Sequence, residues 1–302
     1  MNWDDARYFL AIARAGQMLG AARRLGVSQA TLSRRLATLE AALGDRLVER
    51  TPRGSPLTEA GQAFLATAER MESAALAGVA QLGHPGEAVA GTLRLGAPDG
   101  LGGAFLAPRL GRLRAAHPGL RVQLVPLPRN FSLSQREADV AVTVGRPERG
   151  RLRTRKLTDY SLGLYAAPGY LAARGHPDRA ATLADHDLVG YVDDLVHTPG
   201  LRYAEEFWQG WRSCVEVSTA IGQLEAVRAG AGIGALHDFM ARGQDGLVPV
   251  LPELRAVRSY WAVWHEDLRG SRRVRACLDF LDAAVSEDRA AFLRPVAGTG
   301  AG

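Results

Sequence analysis

Residues 18–39, MLGAARRLGVSQATLSRRLATL, hold two amphipathic helical runs around Gly26-Val27-Ser28, with four arginines and no acidic residue. The first run places Ala21, Ala22 and Leu25 on one face. Gly26 follows where the turn of a helix-turn-helix needs a residue tolerant of the left-handed conformation. Ser28 is a good N-cap, because its hydroxyl can accept from the free amides of the next turn. Leu32, Leu36, Leu39 and Leu43 then recur at helical spacing, so all four are expected to face inward. Gln29, Ala30, Thr31, Ser33, Arg34, Arg35 and Thr38 are left on the outward side of the second helix. Their chemistry suits base edges and phosphates in a major groove. The acid-free window runs from Ala6 to Leu39 and contains Arg7, Arg14, Arg23, Arg24, Arg34 and Arg35, whereas a merely solvated helical surface mixes both signs.

Taken alone, the two-helix pattern also fits an ordinary helical hairpin with an arginine-rich surface. The next stretch narrows the reading. Residues 47–58, LVERTPRGSPLT, hold two short extended runs flanking a Pro52-Arg53-Gly54 tip, the pattern of a β-hairpin wing. Such a wing sets Arg50 and Arg53 against the backbone beside the groove. Residues 1–60 hold nine arginines against six acids, net +3, which leaves +2 of the overall +5 for the rest of the chain. Positive charge is therefore concentrated in the expected reader.

Residues 28–65, SQATLSRRLATLEAALGDRLVERTPRGSPLTEAGQAFL, resemble the N-terminal domain of the LysR-type transcriptional regulators. The resemblance rests on the spaced Ala21-Ala22, Ser28-Gln29 opening the second helix, Leu39-Glu40, Gly44, Leu47, Arg50 and Leu57-Thr58-x-Ala60-Gly61. Two departures stand out: Gln17, Met18, Leu19 and Gly20 occupy the start of the first motif helix, where the family usually has Ser or Thr, and Ala30 replaces a usual proline. A lost cap costs on the order of 1 kcal/mol, so a slightly weaker helix start is expected. The resemblance implies a DNA-binding transcriptional regulator acting on a promoter dyad under the control of a small-molecule effector. Carried onto this chain, Gln29 and Arg34 are candidates for base edges. Thr31, Arg35, Arg50 and Arg53 are candidates for phosphates, and Arg24, Ser28, Ala30, Ser33 and Thr38 complete the DNA face.

From Thr58 to about Leu82, the residues Phe64, Ala68, Met71, Ala75, Gly78 and Leu82 recur at alternating steps of four and three, a short heptad stripe that one helix cannot bury by itself. Packing on the chain's own second domain would cover it. The resemblance implies instead a linker helix that pairs two subunits into a homodimer, with homotetramers built from dimers. His84-Pro85-Gly86 then opens a hinge. Beyond it, strands alternate with helices. Strands are expected at 92–96, 122–126 and 138–144, one helix over 101–116 and another over 221–229, with Gly230-Ala231-Gly232-Ile233-Gly234 as its exit. Two α/β lobes joined by crossing strands enclose a cleft.

The expected architecture is thus multidomain: an all-α winged helix-turn-helix domain over 1–58, a linker and dimerisation helix with hinge over 59–90, and an α/β two-lobed effector-binding domain over 91–302. Lobe I is expected over about 91–163 and 264–290, and lobe II over about 164–263. In the family this half resembles type II periplasmic binding proteins. By position, the cleft is lined by Pro98, Asp99, Gly100 and Leu101, by Gly145 and Arg146, by Ser218, Thr219 and Ala220, and by Leu236, His237 and Asp238. Helix N-termini present free amides, so carboxylates are the default effector class. Asp99 either repels an anion there or caps the helix of Leu101. His237 stands where many relatives have proline, as a ligand contact or as an ordinary surface or hydrogen-bonded residue.

A length of 302 residues at 47% hydrophobic suits a soluble regulator of more than one domain. No apolar run reaches the roughly 18 residues of a membrane span, and the amphipathic N-terminus lacks the pattern of a secretory signal. A cytosolic protein, without membrane contact and working with double-stranded DNA and RNA polymerase, is expected. Cys214 and Cys277 lie outside any CxxC motif and are expected to be two buried thiols. Trp208, Trp211, Trp261 and Trp264 read as core or interface anchors. No cofactor, metal site or catalytic residue is expected: the glycine run at 230–234 follows a helix and enters a strand, the reverse of a phosphate-binding turn. Two alternatives remain open at this point, an enzyme in the α/β half and a constitutive DNA-binding protein with a vestigial cleft.

Overall fold

The computed structural model describes residues 2–49, 51, 54–81, 89–126, 138–147, 151–195 and 202–293. The chain divides into two units, Met1–Pro85 and Gly86–Gly302. None of the helices among the described residues is long and apolar enough to cross a membrane.

The first unit contains α1 (Trp3–Ala15), α2 (Met18–Leu25), α3 (Gln29–Leu43) and α4 (Glu59–Gln81). Gly16, Gly26 and Gly44 end the first three helices at φ between 65° and 75°, a conformation that costs glycine little. Phe9, Leu10, Ile12, Ala21, Leu32, Leu36, Leu39 and Leu47 form the core. The inward leucine stripe of α3 stops at Leu39. Leu43, the last helical residue before Gly44 turns the chain, is 38% exposed.

The wing is held by antiparallel bridges Val48↔Leu57 and Thr51↔Gly54. The Glu40 carboxylate accepts from the amides of Leu47 at 2.8 Å and Val48 at 3.2 Å, which ties the wing's first strand to α3. Thr58 donates its hydroxyl to the Arg46 carbonyl at 2.6 Å and accepts from the Gly61 amide at 2.9 Å, so it caps α4 while anchoring the wing. At Gly61 a Cβ would lie 2.0 Å from the Leu47 carbonyl oxygen. Only glycine lets α4 approach the wing backbone this closely.

α4 is then fixed by Phe64 against Phe9, ring centroids 5.4 Å apart, and by Arg14, which donates to both carboxylate oxygens of Glu72 at 3.1 and 2.7 Å. The heptad stripe is therefore split. Ala68 is buried and Phe64 half-buried in the first unit's own core, Ala75 and Gly78 are exposed, and Leu82 lies outside the described residues.

The second unit is built on one eight-stranded sheet, in the order β2-β1-β3-β8-β4-β7-β5-β6. Its strands are β1 (Gly91–Ala97), β2 (Leu120–Pro126), β3 (Val140–Val144), β4 (Leu152–Ala166), β5 (Leu188–Gly190), β6 (Val215–Glu216), β7 (Ile233–His237) and β8 (Val248–His265). β4 and β8 pair antiparallel along their whole length. Parallel β2-β1-β3 flank β8, and β7-β5-β6 flank β4. Tyr260–Val263 of β8 pair with β3.

The expected helix over 101–116 is three pieces: a π-helical segment Leu101–Leu106, a 3-10 turn Ala107–Arg109 and α5 (Leu110–Ala116). Pro108 interrupts the run because it has no amide to donate. The remaining helices are α6 (Pro168–Arg174), α7 (Ala204–Phe207), α8 (Ala220–Arg228), α9 (Asp238–Ala241), α10 (Arg272–Glu287) and α11 (Arg289–Phe292). Cys277 is buried, but Cys214 is exposed. It sits at the start of the edge strand β6, so the expectation of two buried thiols fails there.

Where β4, β7 and β8 meet, Tyr160 stacks on Tyr260 at 4.0 Å and on His237 at 5.4 Å, with Phe239 edge-on to Tyr160. Beside this stack Asp238 is fully buried. Its carboxylate accepts from the hydroxyls of Ser161 and, at 2.5 Å, Tyr165, donors that offset the cost of burying a charge.

This packing can be tested at two positions. Gly61→Ala should lower stability by about 1–3 kcal/mol through overpacking of the wing, read as a reduced urea midpoint of the first unit's transition. Burial pushes His237 down to about 4, so the folded protein holds this imidazole neutral while the unfolded chain takes up its proton near pH 6.5. Stability is then complete above about pH 6.5 and falls as pH drops toward 4, by on the order of 3 kcal/mol. Urea unfolding at pH 7 and pH 4.5 should show a smaller acid loss for His237→Gln than for the unchanged protein.

Candidate functional site

The outward face of α3 is organised by its cap. Ser28 accepts from the Thr31 amide at 3.1 Å, and the two hydroxyls lie 2.9 Å apart. The Thr38 hydroxyl turns back to the Arg34 carbonyl at 3.0 Å. Arg24, Ser28, Gln29, Ala30, Arg34 and Thr38 are exposed, and Thr31, Ser33 and Arg35 half-buried.

Arg35 differs from its neighbours. Its guanidinium donates to the buried Asp5 carboxylate at 3.1 Å, reaches Asp4 at 4.0 Å and lies 5.7 Å from the centre of the Tyr8 ring. Half-buried, it ties α3 to α1, because the acids that open α1 stand opposite it. Arg23, Arg24 and Arg34, by contrast, have no carboxylate within 4.0 Å among the described residues. They leave three exposed positive charges beside a helix N-terminus with no acid in its first turn. Helix polarity adds to that positive field. Arg23 was not assigned to this face from sequence, where its position in the first motif helix left its direction open. Arg50 and Arg53 lie outside the described residues.

In the second unit, the loop after β1 meets the start of α8. The Asp99 carboxylate accepts from the Ala220 amide at 2.7 Å, while Thr219 accepts from the Gly222 amide at 3.1 Å. A Cβ at Gly100 would lie 3.0 Å from both Ala220 Cβ and Met240 Sδ, and one at Gly103 would lie 2.5 Å from Ile221 Cδ1. Asp99 and Gly100 are thus brought against Ala220, with Met240 and His237 also beside Gly100. Asp99 caps α8 of the opposite lobe and not the segment opened by Leu101. Asp99 itself already lies in the helical run that continues through Leu101, so it does not hold the flanking position of a local N-cap.

The other expected cleft residues are committed elsewhere. Leu236 packs in a small core with Tyr165, Val189 and Leu224. The Asp238 carboxylate is occupied by Ser161 and Tyr165. Arg146 is exposed and lies 5.7 Å from the Trp261 ring. Gly145, at φ 77°, donates its amide to the Ser259 carbonyl at 2.9 Å.

A cavity of about 190 Å³ is lined by Val189, Gly190, Tyr191, Tyr203, Trp211, Ser213, Gln223 and Ala235, with Asp193, Arg202 and Glu205 also on its wall; Gln223 brings α8 to it, three residues on from the Ala220 that Asp99 caps. Burial pushes the Tyr203 and Tyr260 hydroxyls up, and the nearby Asp99 charge adds to both. The Tyr260 ring stacks on that of Tyr160, and the two phenol groups interact with each other. The cavity residues were missed in the sequence because they come from separate segments with no shared spacing. Trp211, read there as an anchor, is the one that carried a signal. Among the described residues no group of three or more His, Cys, Asp or Glu side chains is placed to hold a metal ion.

The family model for the bacterial regulatory helix-turn-helix protein, lysR family, matches residues 3–62, and that for the LysR substrate binding domain matches residues 86–286. The chain is 28% identical to the HTH-type transcriptional regulator CrgA of Neisseria meningitidis serogroup C, over 93% of this chain and 96% of the relative. It is 31% identical to the Mau operon transcriptional activator of Paracoccus denitrificans, over 80% and 81%. The solved structure of CrgA from Neisseria meningitidis superposes with a TM-score of 0.60 at 27% identity, over 94% of this chain and 98% of that one. A full-length OxyR variant from Pseudomonas aeruginosa shares the fold, with a TM-score of 0.72 at 20% identity over 94% and 95%. With a lysR-family helix-turn-helix domain followed by a LysR substrate binding domain, the chain belongs to the LysR family and is a DNA-binding transcriptional regulator of the effector-responsive kind.

Proposed function

We propose that α3 enters a major groove with Gln29 and Arg34 reading base edges, and that Arg23, Arg24 and the wing arginines Arg50 and Arg53 hold the flanking phosphates. The observation that carries this reading is the contrast on one helix: Arg34 is exposed with no acidic partner among the described residues, whereas Arg35 is drawn to Asp5. Bidentate contact between arginine and guanine is the commonest specific contact in such a groove. Arg35 acts as a positioning residue that sets the angle of α3.

A homodimer through the exposed half of α4 presents two such helices to an interrupted palindrome, since one recognition helix reads only a few base pairs. Dimers associate further into tetramers. Effector binding in the second unit changes the spacing of the two readers, and with it DNA bending and access of RNA polymerase. The ligand acts only through its different affinity for the two states. This is a regulator of the cytosol without a catalytic step.

The test is a salt-controlled binding assay of the full-length protein on DNA from upstream of its own gene. Arg34→Ala should lose about 1–3 kcal/mol of discrimination at the contacted base pair. Arg24→Ala should weaken binding to all sequences and reduce the salt slope by about one. Arg35→Ala should lower the melting temperature of the first unit. An Arg34→Ala protein with unchanged affinity and specificity would contradict this docking.

A further inference from the structure

We infer that Asp99 is the specificity-determining residue of the effector site: its carboxylate fills the anion position at the start of α8, so the adjoining cavity takes an effector with a cationic amine head on an aromatic or apolar body and rejects carboxylates. The inference rests on the reading of this cleft as the effector site. A helix N-terminus is an ordinary seat for a ligand carboxylate, because its amides are unpaired and its end is positive. In this protein the Ala220 amide is taken from within by Asp99 at 2.7 Å and the Gly222 amide by Thr219 at 3.1 Å. An incoming anion would have to expel Asp99 and then remain beside its charge.

The cavity points the same way. Tyr191, Tyr203 and Trp211 supply aromatic surface, and Asp193 and Glu205 face a single cation, Arg202. Neither of these two acids is ion-paired among the described residues. Aromatic faces with an excess of carboxylates attract ammonium groups. His237, packed against Gly100 and stacked on Tyr160, is buried and neutral, so it gives an anion no positive partner.

Thermal unfolding of the full-length protein at constant ionic strength with phenethylamine and with 3-phenylpropionate, matched in body and opposite in charge, tests the inference. Phenethylamine should raise the midpoint of the unchanged protein by several degrees, rising with concentration, and 3-phenylpropionate should leave it in place. Asp99→Ala should reverse that order by freeing the Ala220 amide. Asp99→Asn, which keeps an acceptor for that amide without the charge, should abolish the preference for the amine and serves if the alanine variant fails to fold. Equal or greater stabilisation of the unchanged protein by the carboxylate overturns the inference, as does the absence of any change in preference in both variants. Operator binding measured with the same two probes separates this from the effector reading. A ligand shift with no change in DNA affinity under any condition would sink effector control while leaving the charge selectivity standing.

Discussion

The antiparallel ribbon of β4 and β8, paired from Leu152↔His265 to Ala166↔Val248, is the constraint on which the effector half depends. Each strand is long enough to run through both lobes, so β3 can hydrogen-bond to one stretch of β8 and β7 to the opposite stretch of β4. The ribbon holds the lobes in one continuous sheet and brings Tyr160 and Tyr260 into contact at their junction. A stack of aromatic rings in a buried junction adds directional packing to the area it removes from water. The cleft chemistry is arranged around this fixed centre, with His237 on one side and the Asp99 contact beside it.

The first unit depends on polar groups placed where backbone would otherwise be unsatisfied. Glu40 and Thr58 take up amides and a carbonyl at the two ends of the wing, and Arg35 neutralises the buried Asp5. Glu40 and Arg35 hold helical positions that alone would suggest exposure, and Thr58 holds a cap position. They are polar residues used for geometry, and they leave Arg23, Arg24 and Arg34 as the exposed charges of the face. Within the single acid-free stretch 18–39 one arginine is therefore paired while three are exposed without a carboxylate partner among the described residues.

Much of the fold was legible in the sequence because local rules and tertiary packing agree there. Gly26 and Ser28 mark the turn and the cap, and the structure has both, with Gly26 left-handed and Ser28 capping. The Leu-Thr-x-Ala-Gly motif was recognisable as a pattern. Its physical reason, the 2.0 Å approach that a Cβ at Gly61 would make to the Leu47 carbonyl, needs the folded wing. The expected helix over 101–116 keeps its bounds but changes from π to 3-10 to α geometry around Pro108, whose missing amide a periodicity argument does not weigh.

What the sequence determined by itself was the set of elements with strong local signals: helix caps, the leucine stripe up to Leu39, the glycine exits and the change from helical to alternating pattern. These depend on neighbours within a few residues. Tertiary structure alone decided the roles of charged and aromatic side chains. Asp99 serves a helix 121 residues away, Arg35 answers an acid 30 residues before it, and the cavity wall is gathered from five separate stretches between Val189 and Ala235. A charge is governed by whatever stands within a few ångströms of it, and for these residues that neighbour is chosen by the path of the chain and not by its order.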